Sequence, residues 1–422
     1  MQYGGCHPVD GCQDGDPFFG ASFQFLAANV KYKTSGETIF PGYKIHHFPG
    51  VKVGLIGMTL EATPSIVSLA GISHVDFLDE AETVNALVPE LRRQGVETII
   101  VLLHEGGSTS APLNETTINS CVNPTGAIPP IVAAMDDAVD VVVTGHTNWA
   151  VNCVIDGKIV TGAAHQGRLV TDIDLTVSRA SKDVVAATVN NRIMTRDVDK
   201  AADLTALIEK YKGVAAPLAN RVIGKITADI LRASNAAGES ALGDRIADAQ
   251  NFDAQQAGTG SQIAFMNAGG IRADLLYNQI SGGEQPGEVT YGEAFTVQPF
   301  GNSLITMTLN GAQIDALLEQ QFTGGIGILQ VSDGFAYTRS ASAPAGSKVS
   351  AITLNGFPVS PGTTYRVTVN SFLADGGDNY TVLTQGTSRT PGNVDTDAFE
   401  NYLKANPAGI TPGPQNRSTL VP

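Results

Sequence analysis

The stretch Ile99-Ile-Val-Leu-Leu-His104-Glu-Gly-Gly107 joins an apolar run to a histidine and a glycine-rich turn. Continuous apolar residues followed by a turn predict a strand that is buried on both faces of a sheet. Further along the chain, Val141-Val-Val-Thr-Gly-His146-Thr-Asn148 repeats this arrangement. Because ligands bind beside the carboxyl ends of strands in open α/β sheets, we expect His104 and His146 to face one site.

The residue types at these two strand ends predict a metal site. Histidine is the commonest protein ligand of metals, and Asn148 adds a carbonyl oxygen shortly after His146. One such histidine alone would more often be a hydrogen-bonded loop residue, but two similar strand ends favour a ligand role. Two imidazoles suit a hard catalytic metal poorly, so carboxylate ligands are expected as well. His165, which follows another predicted strand, is a third candidate.

The chain divides into two folded regions of α/β character. Residues 1–190 alternate short β-rich runs with helices, which is typical of a layered α/β domain. Residues 191–218 contain a charged helical segment over 197–212 with few apolar positions, as expected of a linker between domains. Residues 219–422 form the second region, and its Pro- and Gly-rich end is expected to be a loose tail.

The charge and hydropathy of the chain exclude two classes of function. The 422 residues include 26 Lys and Arg against 41 Asp and Glu, which gives a formal net charge of -15. A chain this acidic repels polyanions, so broad nucleic-acid binding is excluded. The apolar runs are too short to cross a bilayer, and we therefore expect no membrane span.

The four cysteines favour an exported protein with disulfides over a cytosolic protein with buried thiols. They are Cys6, Cys12, Cys121 and Cys153. Proximity suggests the pairs Cys6–Cys12 and Cys121–Cys153, although four cysteines allow three connectivities. The first residues have neither the basic start nor the apolar stretch of a signal peptide. An exported chain without an export signal leads us to expect that its beginning is missing.

Three loop segments of the second region predict a nucleotide site. In Asn267-Ala-Gly-Gly270-Ile-Arg272, the glycines allow the backbone to approach a ligand, and the arginine can pair with a phosphate. Phe300 and Phe372 are loop aromatics that could sandwich a base. Asp378 follows a Gly-Gly pair and could bind ribose hydroxyls. Each segment alone is a weak signal, but the three together favour a nucleotide clamp.

Four segments of the first region resemble the later half of the calcineurin-like metallophosphatase domain of 5′-nucleotidases: Phe25–Val30, Val53–Met58, Leu103–Gly106 and Gly145–Asn148. The resemblance implies that His104 and His146 ligate one metal and that Asn148 replaces a ligand of the other. It assigns no role to His165. The family's Asp-x-His, Gly-Asp and Gly-Asn-His-Glu motifs, which supply the catalytic histidine and the remaining ligands, do not occur in residues 1–24. We therefore expect no catalytic residue in this chain.

Residues 223–385 resemble the C-terminal domain of the same family, in its secreted bacterial type. The resemblance implies substrate contacts from six residues: Asn267, Gly270, Arg272, Phe300, Phe372 and Asp378. Phe300 and Phe372 would be the pair that stacks on the base. The family often has a phosphate-binding arginine where this chain has Gly238, and Arg232 is a candidate to compensate for it.

The implied fold is a partial metallophosphatase sandwich joined by a helix to an α/β substrate-binding domain. Residues 1–190 would be the metallophosphatase domain without its N-terminal part, 191–218 the linker helix, and 219–422 the C-terminal domain.

The implied reaction is hydrolysis of nucleotide phosphomonoesters to nucleoside and phosphate, with two divalent ions such as zinc or manganese. We expect weak activity from the chain as given, an AMP-like substrate, and a secreted or cell-wall location. The alternatives are a non-catalytic nucleotide- or nucleoside-binding fragment, and a 2′,3′-cyclic-nucleotide phosphodiesterase or nucleotide-sugar hydrolase of the same superfamily. A surface adhesion module is a further alternative.

Overall fold

The computed structural model describes residues 4–9, 11–67, 69–324 and 326–422. The first three residues, on which the argument about an export signal rests, lie outside these ranges. The chain folds as two units, which we call the first unit (residues up to 64, with 70–202) and the second unit (65–69, with 203–422).

Up to residue 202 the structure alternates strands and helices. The helices are α1 Leu69–Ile72, α2 Glu80–Arg93 and α3 Ile128–Ala134, with a 3-10 turn at Thr63–Ser65. The strands are β1 Val30–Tyr32, β2 Tyr43–Phe48, β3 Val51–Thr59, β4 Val75–Phe77, β5 Thr98–His104, β6 Gly107–Ser108, β7 Thr125–Gly126, β8 Val139–Val143, β9 Ala150–Ile155, β10 Lys158–Ala163, β11 Leu169–Val177 and β12 Val184–Ile193.

A six-stranded sheet forms the centre of the first unit, in the order β2-β3-β5-β8-β10-β9. Its four inner strands run parallel, whereas the edge strands β2 and β9 are antiparallel to their neighbours. Helix α2 begins after Asp79, whose carboxylate accepts a hydrogen bond from the Glu82 N–H at 2.7 Å. This cap and the acidic first turn explain why the helix starts there.

The expectation that β5 is buried on both faces is wrong for one face. Ile99, Val101 and Leu103 are buried in the core of the first unit. Leu102 points to the opposite face and is 39% exposed. Because side chains alternate along a strand, this second face is also the one that carries His104, which is itself exposed.

In the second unit the helices are α4 Ala202–Ala219, α5 Ala241–Gln256, α6 Tyr291–Val297, α7 Gly311–Gln320, α8 Ser371–Ala374 and α9 Asp395–Ala405, with 3-10 turns at Ala268–Gly270, Gly377–Asn379 and Thr381–Gln385. The strands are β13 Val222–Lys225, β14 Ile263–Met266, β15 Glu288–Thr290, β16 Ser303–Asn310, β17 Gln330–Val331, β18 Phe335–Ser340, β19 Val349–Leu354, β20 Phe357–Pro358, β21 Thr364–Asn370, β22 Thr387–Val394 and β23 Ser418–Val421.

The main sheet of the second unit has the order β17-β14-β21-β16-β22, and a second sheet has the order β20-β19-β18-β23. Strands β14 and β21 are parallel neighbours. Their carboxyl ends therefore deliver the segments after Met266 and Asn370 to the same edge of the sheet.

Two expectations about the chain outside the sheets are corrected. The charged helix predicted over 197–212 lies at Ala202–Ala219, so it begins later and extends further. The C-terminal end is not a loose tail, because β23 pairs in parallel with β18 and Arg417 before it is buried. Among the described helices, α4 included, none combines the length and apolar character needed to cross a membrane.

Candidate functional site

The first candidate site lies at the carboxyl ends of β5 and β8, which are parallel neighbours in the sheet. His104 is the last residue of β5, and His146 lies in the turn after β8. The centroids of the two imidazole rings are 5.3 Å apart. The structure therefore brings together the two histidines that the sequence pattern selected, and their role as ligands stays a prediction.

The turns that carry these histidines are fastened to each other. The Gly145 N–H donates to the Glu105 carbonyl at 3.0 Å, and the Thr147 hydroxyl donates to the Gly107 carbonyl at 2.6 Å. A Cβ atom on Gly106 would lie 2.2 Å from the Thr147 hydroxyl oxygen, so only glycine permits this approach. The two turns that carry the histidines are therefore held together by hydrogen bonds.

The backbone at the second turn adopts an unusual conformation. His146 and Asn148 have φ angles of 58° and 59°, in the left-handed region that few non-glycine residues adopt. Strained residues of this kind concentrate at functional sites, where the surrounding structure enforces them. Both side chains are exposed, so the turn presents an imidazole and an amide outward.

The surroundings of His104 favour its neutral imidazole form. The pKa of His104 is lowered, mainly by desolvation of its ring and then by its electrostatic interaction with His146. The charge of Glu105 acts in the opposite direction. Neutral imidazole is the form that coordinates a metal. The lowered pKa of His104 therefore favours the form that a metal site requires.

Within the described residues, no group of three acidic or imidazole side chains converges at His104 and His146. Glu105 is buried, and its carboxylate accepts a hydrogen bond from the Gly106 N–H at 2.7 Å. His165 lies half-buried in the turn between β10 and β11. Across the described ranges, the acidic or imidazole side chains that converge in threes are Glu61, Asp79 and Glu80, a different location. The structure thus brings two imidazoles together at His104, and the role of Asn148 beside them stays a prediction.

The second candidate site is a cavity of about 470 Å³ in the second unit. This volume is within the range of small-molecule sites. Its lining contains all six residues that the sequence assigned to substrate, together with four others: Asn267, Gly270, Arg272, Phe300, Phe372 and Asp378, with Ile66, Val67, Gly269 and Asn302.

The two aromatic side chains of this cavity differ in freedom. Phe372, the second residue of α8, is half-buried, and a Cβ on Gly377 would lie 2.5 Å from its ring. Gly377 therefore has to be glycine for the ring to take this place. Phe300 is 56% exposed, and the guanidinium of Arg272 lies 5.6 Å from its ring centroid. Phe372 is thus held in place by its packing on one side of the cavity, whereas Phe300 is a solvent-exposed side chain on its rim.

The polar end of the cavity is built around Asp378. This residue is buried, has a φ of 54°, and accepts a hydrogen bond from the Asn267 amide at 2.7 Å. Burial raises the pKa of Asp378, while the hydrogen bond from Asn267 acts in the opposite direction. A buried carboxylate with one oxygen engaged is a suitable acceptor for paired hydroxyl groups.

Comparison with known proteins bears on the family and the fold of the chain. The family model of the "5′-nucleotidase, C-terminal domain" matches residues 222–385, which include eight of the ten residues that line the cavity. A solved structure, the 5′-nucleotidase precursor from Thermus thermophilus, is 29% identical to the chain and covers 95% of it with a TM-score of 0.72, over 79% of its own length.

Residues 222–385 match the 5′-nucleotidase C-terminal domain, and the chain as a whole is similar to 5′-nucleotidases. This confirms the expected family and the expected fold class of a metallophosphatase-like domain followed by a C-terminal domain.

Curated relatives include the cell wall protein Lmo0130 of Listeria monocytogenes, 32% identical over 91% of this chain, and the endonuclease YhcR of Bacillus subtilis, 28% identical over 95%. The chain spans 50% of the length of the Listeria protein and 31% of that of the Bacillus protein.

One departure from the 5′-nucleotidase pattern has a local cause. Gly238 has a φ of 79°, and a Cβ there would lie 2.6 Å from the Ile328 side chain. An arginine therefore does not fit this position without a local shift. Arg232 lines a neighbouring cavity of about 300 Å³ that shares the Ala268–Gly270 turn, and its guanidinium donates to the Ile271 carbonyl at 3.4 Å.

Sequence reasoning missed Asn302 as a site residue. Its amide oxygen accepts a hydrogen bond from the Ser371 hydroxyl at 3.3 Å, which joins the Phe300 loop to the start of α8. The signal that could have identified Asn302 is its position two residues after the loop aromatic Phe300. Ile66 and Val67 gave no such signal, because short apolar pairs in loops are common.

Proposed function

We propose that this chain binds a nucleoside 5′-monophosphate in the cavity of the second unit and takes part in metal-dependent hydrolysis of its phosphomonoester bond. The observation that carries the proposal is the convergence of Phe372, Asp378 and Arg272 on one cavity. An aromatic wall, a buried carboxylate and a guanidinium match the base, the ribose and the phosphate of a nucleotide in turn.

The residues of the cavity would act as follows. The base stacks on Phe372, and Phe300 closes over its other face because that ring is exposed and unfixed. Asp378 accepts hydrogen bonds from ribose hydroxyls. Arg272 leaves the edge of Phe300 to pair with the phosphate, which strengthens binding of nucleotide over nucleoside.

In the first unit, His104, His146 and Asn148 would hold a divalent ion. Such an ion polarises a phosphoryl oxygen and lowers the pKa of a bound water. Because the described donor set lacks a carboxylate, we propose that turnover by this chain is slow compared with a two-ion enzyme.

The test of the function is phosphate release from AMP by the purified chain in the presence of Zn²⁺ or Mn²⁺. We expect slow release that requires the metal and is abolished in the double variant His104→Ala/His146→Ala. Adenosine binding, measured by calorimetry in EDTA, should be the same in the double variant. Absence of adenosine and AMP binding by the unaltered chain would reject the proposal, whereas binding without hydrolysis would favour a non-catalytic nucleoside-binding role.

We expect Phe372→Ala to weaken adenosine binding by about 5- to 150-fold, because stacking on an aromatic contributes about 1–3 kcal/mol per base. Calorimetry in EDTA measures this without the metal site. Phe357→Ala is the matched control, since Phe357 is 76% exposed on β20 and does not line the cavity. Equal affinities for the two variants would contradict the assignment of Phe372.

We expect His146→Ala to weaken Zn²⁺ binding by about tenfold or more, because it removes one of two neighbouring imidazoles. Competition with a chromogenic chelator measures the affinity. His47→Ala serves as the control, since His47 is exposed on β2, a strand at the edge of the sheet. If His46 and His47 bound the zinc instead, His47→Ala would lose Zn²⁺ affinity and His146→Ala would keep it. That outcome would contradict the assignment of His146.

We propose a secreted or cell-wall location. The similarity to a Listeria cell wall protein supports it, as do the cysteine pairs Cys6–Cys12 and Cys121–Cys153 that the structure brings together. Mass spectrometry of proteolytic peptides from the secreted chain, with and without reductant, would test the pairing: each disulfide-linked peptide pair should separate on reduction, with a gain of two hydrogen atoms per disulfide.

A further inference from the structure

Asn370 lies just behind the cavity rather than in its lining. It is the last residue of β21, it is 1% exposed, and it is the N-cap of α8, the helix that carries Phe372. Its amide oxygen accepts a hydrogen bond from the Leu373 N–H at 2.9 Å. Its amide nitrogen donates to the amide oxygen of Asn267 at 3.0 Å.

These contacts form a chain of hydrogen bonds with a single direction. The Leu373 N–H can only donate, so Asn370 has to turn its oxygen toward α8 and its nitrogen toward Asn267. Asn267 must then present its oxygen to Asn370, which leaves its nitrogen to donate to Asp378 at 2.7 Å. The backbone of α8 therefore dictates which atom of Asn267 faces Asp378.

The turn of residues 268–270 packs closely against this series of hydrogen bonds. A Cβ on Gly270 would lie 3.0 Å from the Asn267 oxygen, and one on Gly269 would lie 3.6 Å from both the Asn267 nitrogen and Asp378. Gly270 thus allows the turn to close directly over the amide, whereas the distances at Gly269 are those of ordinary van der Waals contact. Hydrogen bonds in such a buried series strengthen one another.

We propose that Asn370 is a positioning residue for nucleoside binding, which it serves by capping the helix of Phe372 and by fixing the direction of the Asn267–Asp378 hydrogen bond. The proposal rests on the proposed function, since it takes the cavity to be the nucleoside site. One buried side chain would then set both the stacking ring and the ribose-binding carboxylate, so that neither has to be ordered when the ligand arrives.

Asn370→Asp separates the two roles of this residue. Aspartate still caps α8, because its carboxylate accepts from the Leu373 N–H. It cannot donate to Asn267, which would have to turn over and place its oxygen against Asp378. We expect at least tenfold weaker adenosine binding at pH 8, measured by calorimetry on the full chain. Relative to the unaltered chain at each pH, affinity should recover at low pH, where the introduced carboxyl group is protonated and can donate again.

Two further variants control for the helix cap. Asn370→Ser keeps a capping oxygen but is too short to reach Asn267, so we expect a loss smaller than that of Asn370→Asp. Asn310→Asp makes the same change at the N-cap of α7, where the side chain accepts from the Gln313 N–H at 2.8 Å. Asn310 does not line the cavity, and its variant should bind adenosine as the unaltered chain does.

A stability measurement tests the hydrogen-bond chain without any ligand. In Asn370→Asp/Asp378→Asn, the new amide at position 378 can donate to the reversed Asn267, so a continuous series is restored. We expect this double variant to recover part of the unfolding midpoint that Asn370→Asp loses. If Asn370→Asp binds adenosine as well as the unaltered chain, or if the two substitutions show additive stabilities, the inference is overturned. If the unaltered chain binds no adenosine but the stabilities are coupled, the proposed function fails while the hydrogen-bond chain stands.

Discussion

Replacing Arg417 with methionine is expected to destabilise the second unit by about 3–5 kcal/mol, the range for removing one partner of a buried ion pair. Arg417 is 5% exposed. Its guanidinium donates to both carboxylate oxygens of Asp248, at 2.7 and 3.0 Å, and to the Val331 carbonyl at 2.7 Å. Methionine would fill much of the space but leave the Asp248 carboxylate without its main countercharge.

Urea unfolding followed by circular dichroism measures this loss. Lys212→Met is the matched control, because Lys212 pairs with Glu209 on the exposed surface of α4, where an ion pair contributes about 0–1 kcal/mol. A destabilisation below about 1 kcal/mol for Arg417→Met would mean that the C-terminal end contributes little to the fold.

Arg417 also explains why the sequence suggested a loose tail. The composition of the last residues, rich in Pro, Gly and Asn, is typical of an unstructured end. The contact that orders it joins Arg417 to Asp248 on α5, far away in the sequence. Neither a propensity nor a spacing rule reports a pairing of this kind, because it depends on how the sheets bring distant segments together.

The candidate sites were predictable to the extent that they follow strand ends. Apolar runs gave β5, β8 and β14, and the polar residues at or shortly after their carboxyl ends gave His104, His146 and Asn267. In parallel strands the carboxyl ends share one edge, so a local pattern indicates a shared location.

The supporting contacts behind those residues were not predictable. Asn370 appears in the sequence as an ordinary helix cap, and its donation to Asn267 depends on the pairing of β21 with β14. The exposure of one face of β5 was likewise not predictable, since Leu102 is as apolar as the buried Leu103. Apolarity reports what a residue could bury, whereas the arrangement of neighbouring layers decides which face is covered.

Asp244→Asn is expected to stabilise the second unit increasingly as the pH rises. Asp244 lies in the first turn of α5 and is fully buried, and within the described part of the chain neither of its carboxylate oxygens accepts a hydrogen bond from a donor group. Burial raises the pKa of Asp244 to about 9; Arg417 opposes this rise, and the neighbouring carboxylates of Glu239 and Asp248 add to it. The folded protein therefore holds a proton there at neutral pH.

The sign of the effect follows from proton binding. Between the ordinary aspartate pKa of 3.8 and about 9, the folded state keeps the proton and the unfolded state releases it. Each pH unit in this window therefore lowers the free energy of unfolding by about 1.4 kcal/mol. Asparagine has nearly the same shape and no proton to release, so the variant lacks this loss. We expect the two proteins to differ by about 2–4 kcal/mol more at pH 8 than at pH 5.

Urea unfolding at a series of pH values measures the difference. Asp395→Asn is an informative comparison, because burial raises the pKa of Asp395 only to about 6 and its carboxylate accepts from the Thr396 N–H at 2.9 Å. Its difference from the unaltered chain should therefore stop changing above about pH 7, while that of Asp244→Asn continues to grow. A constant difference for Asp244→Asn across the same range would mean that the buried carboxylate is already ionised at neutral pH, held by Arg417, and that the proton assigned to it is absent.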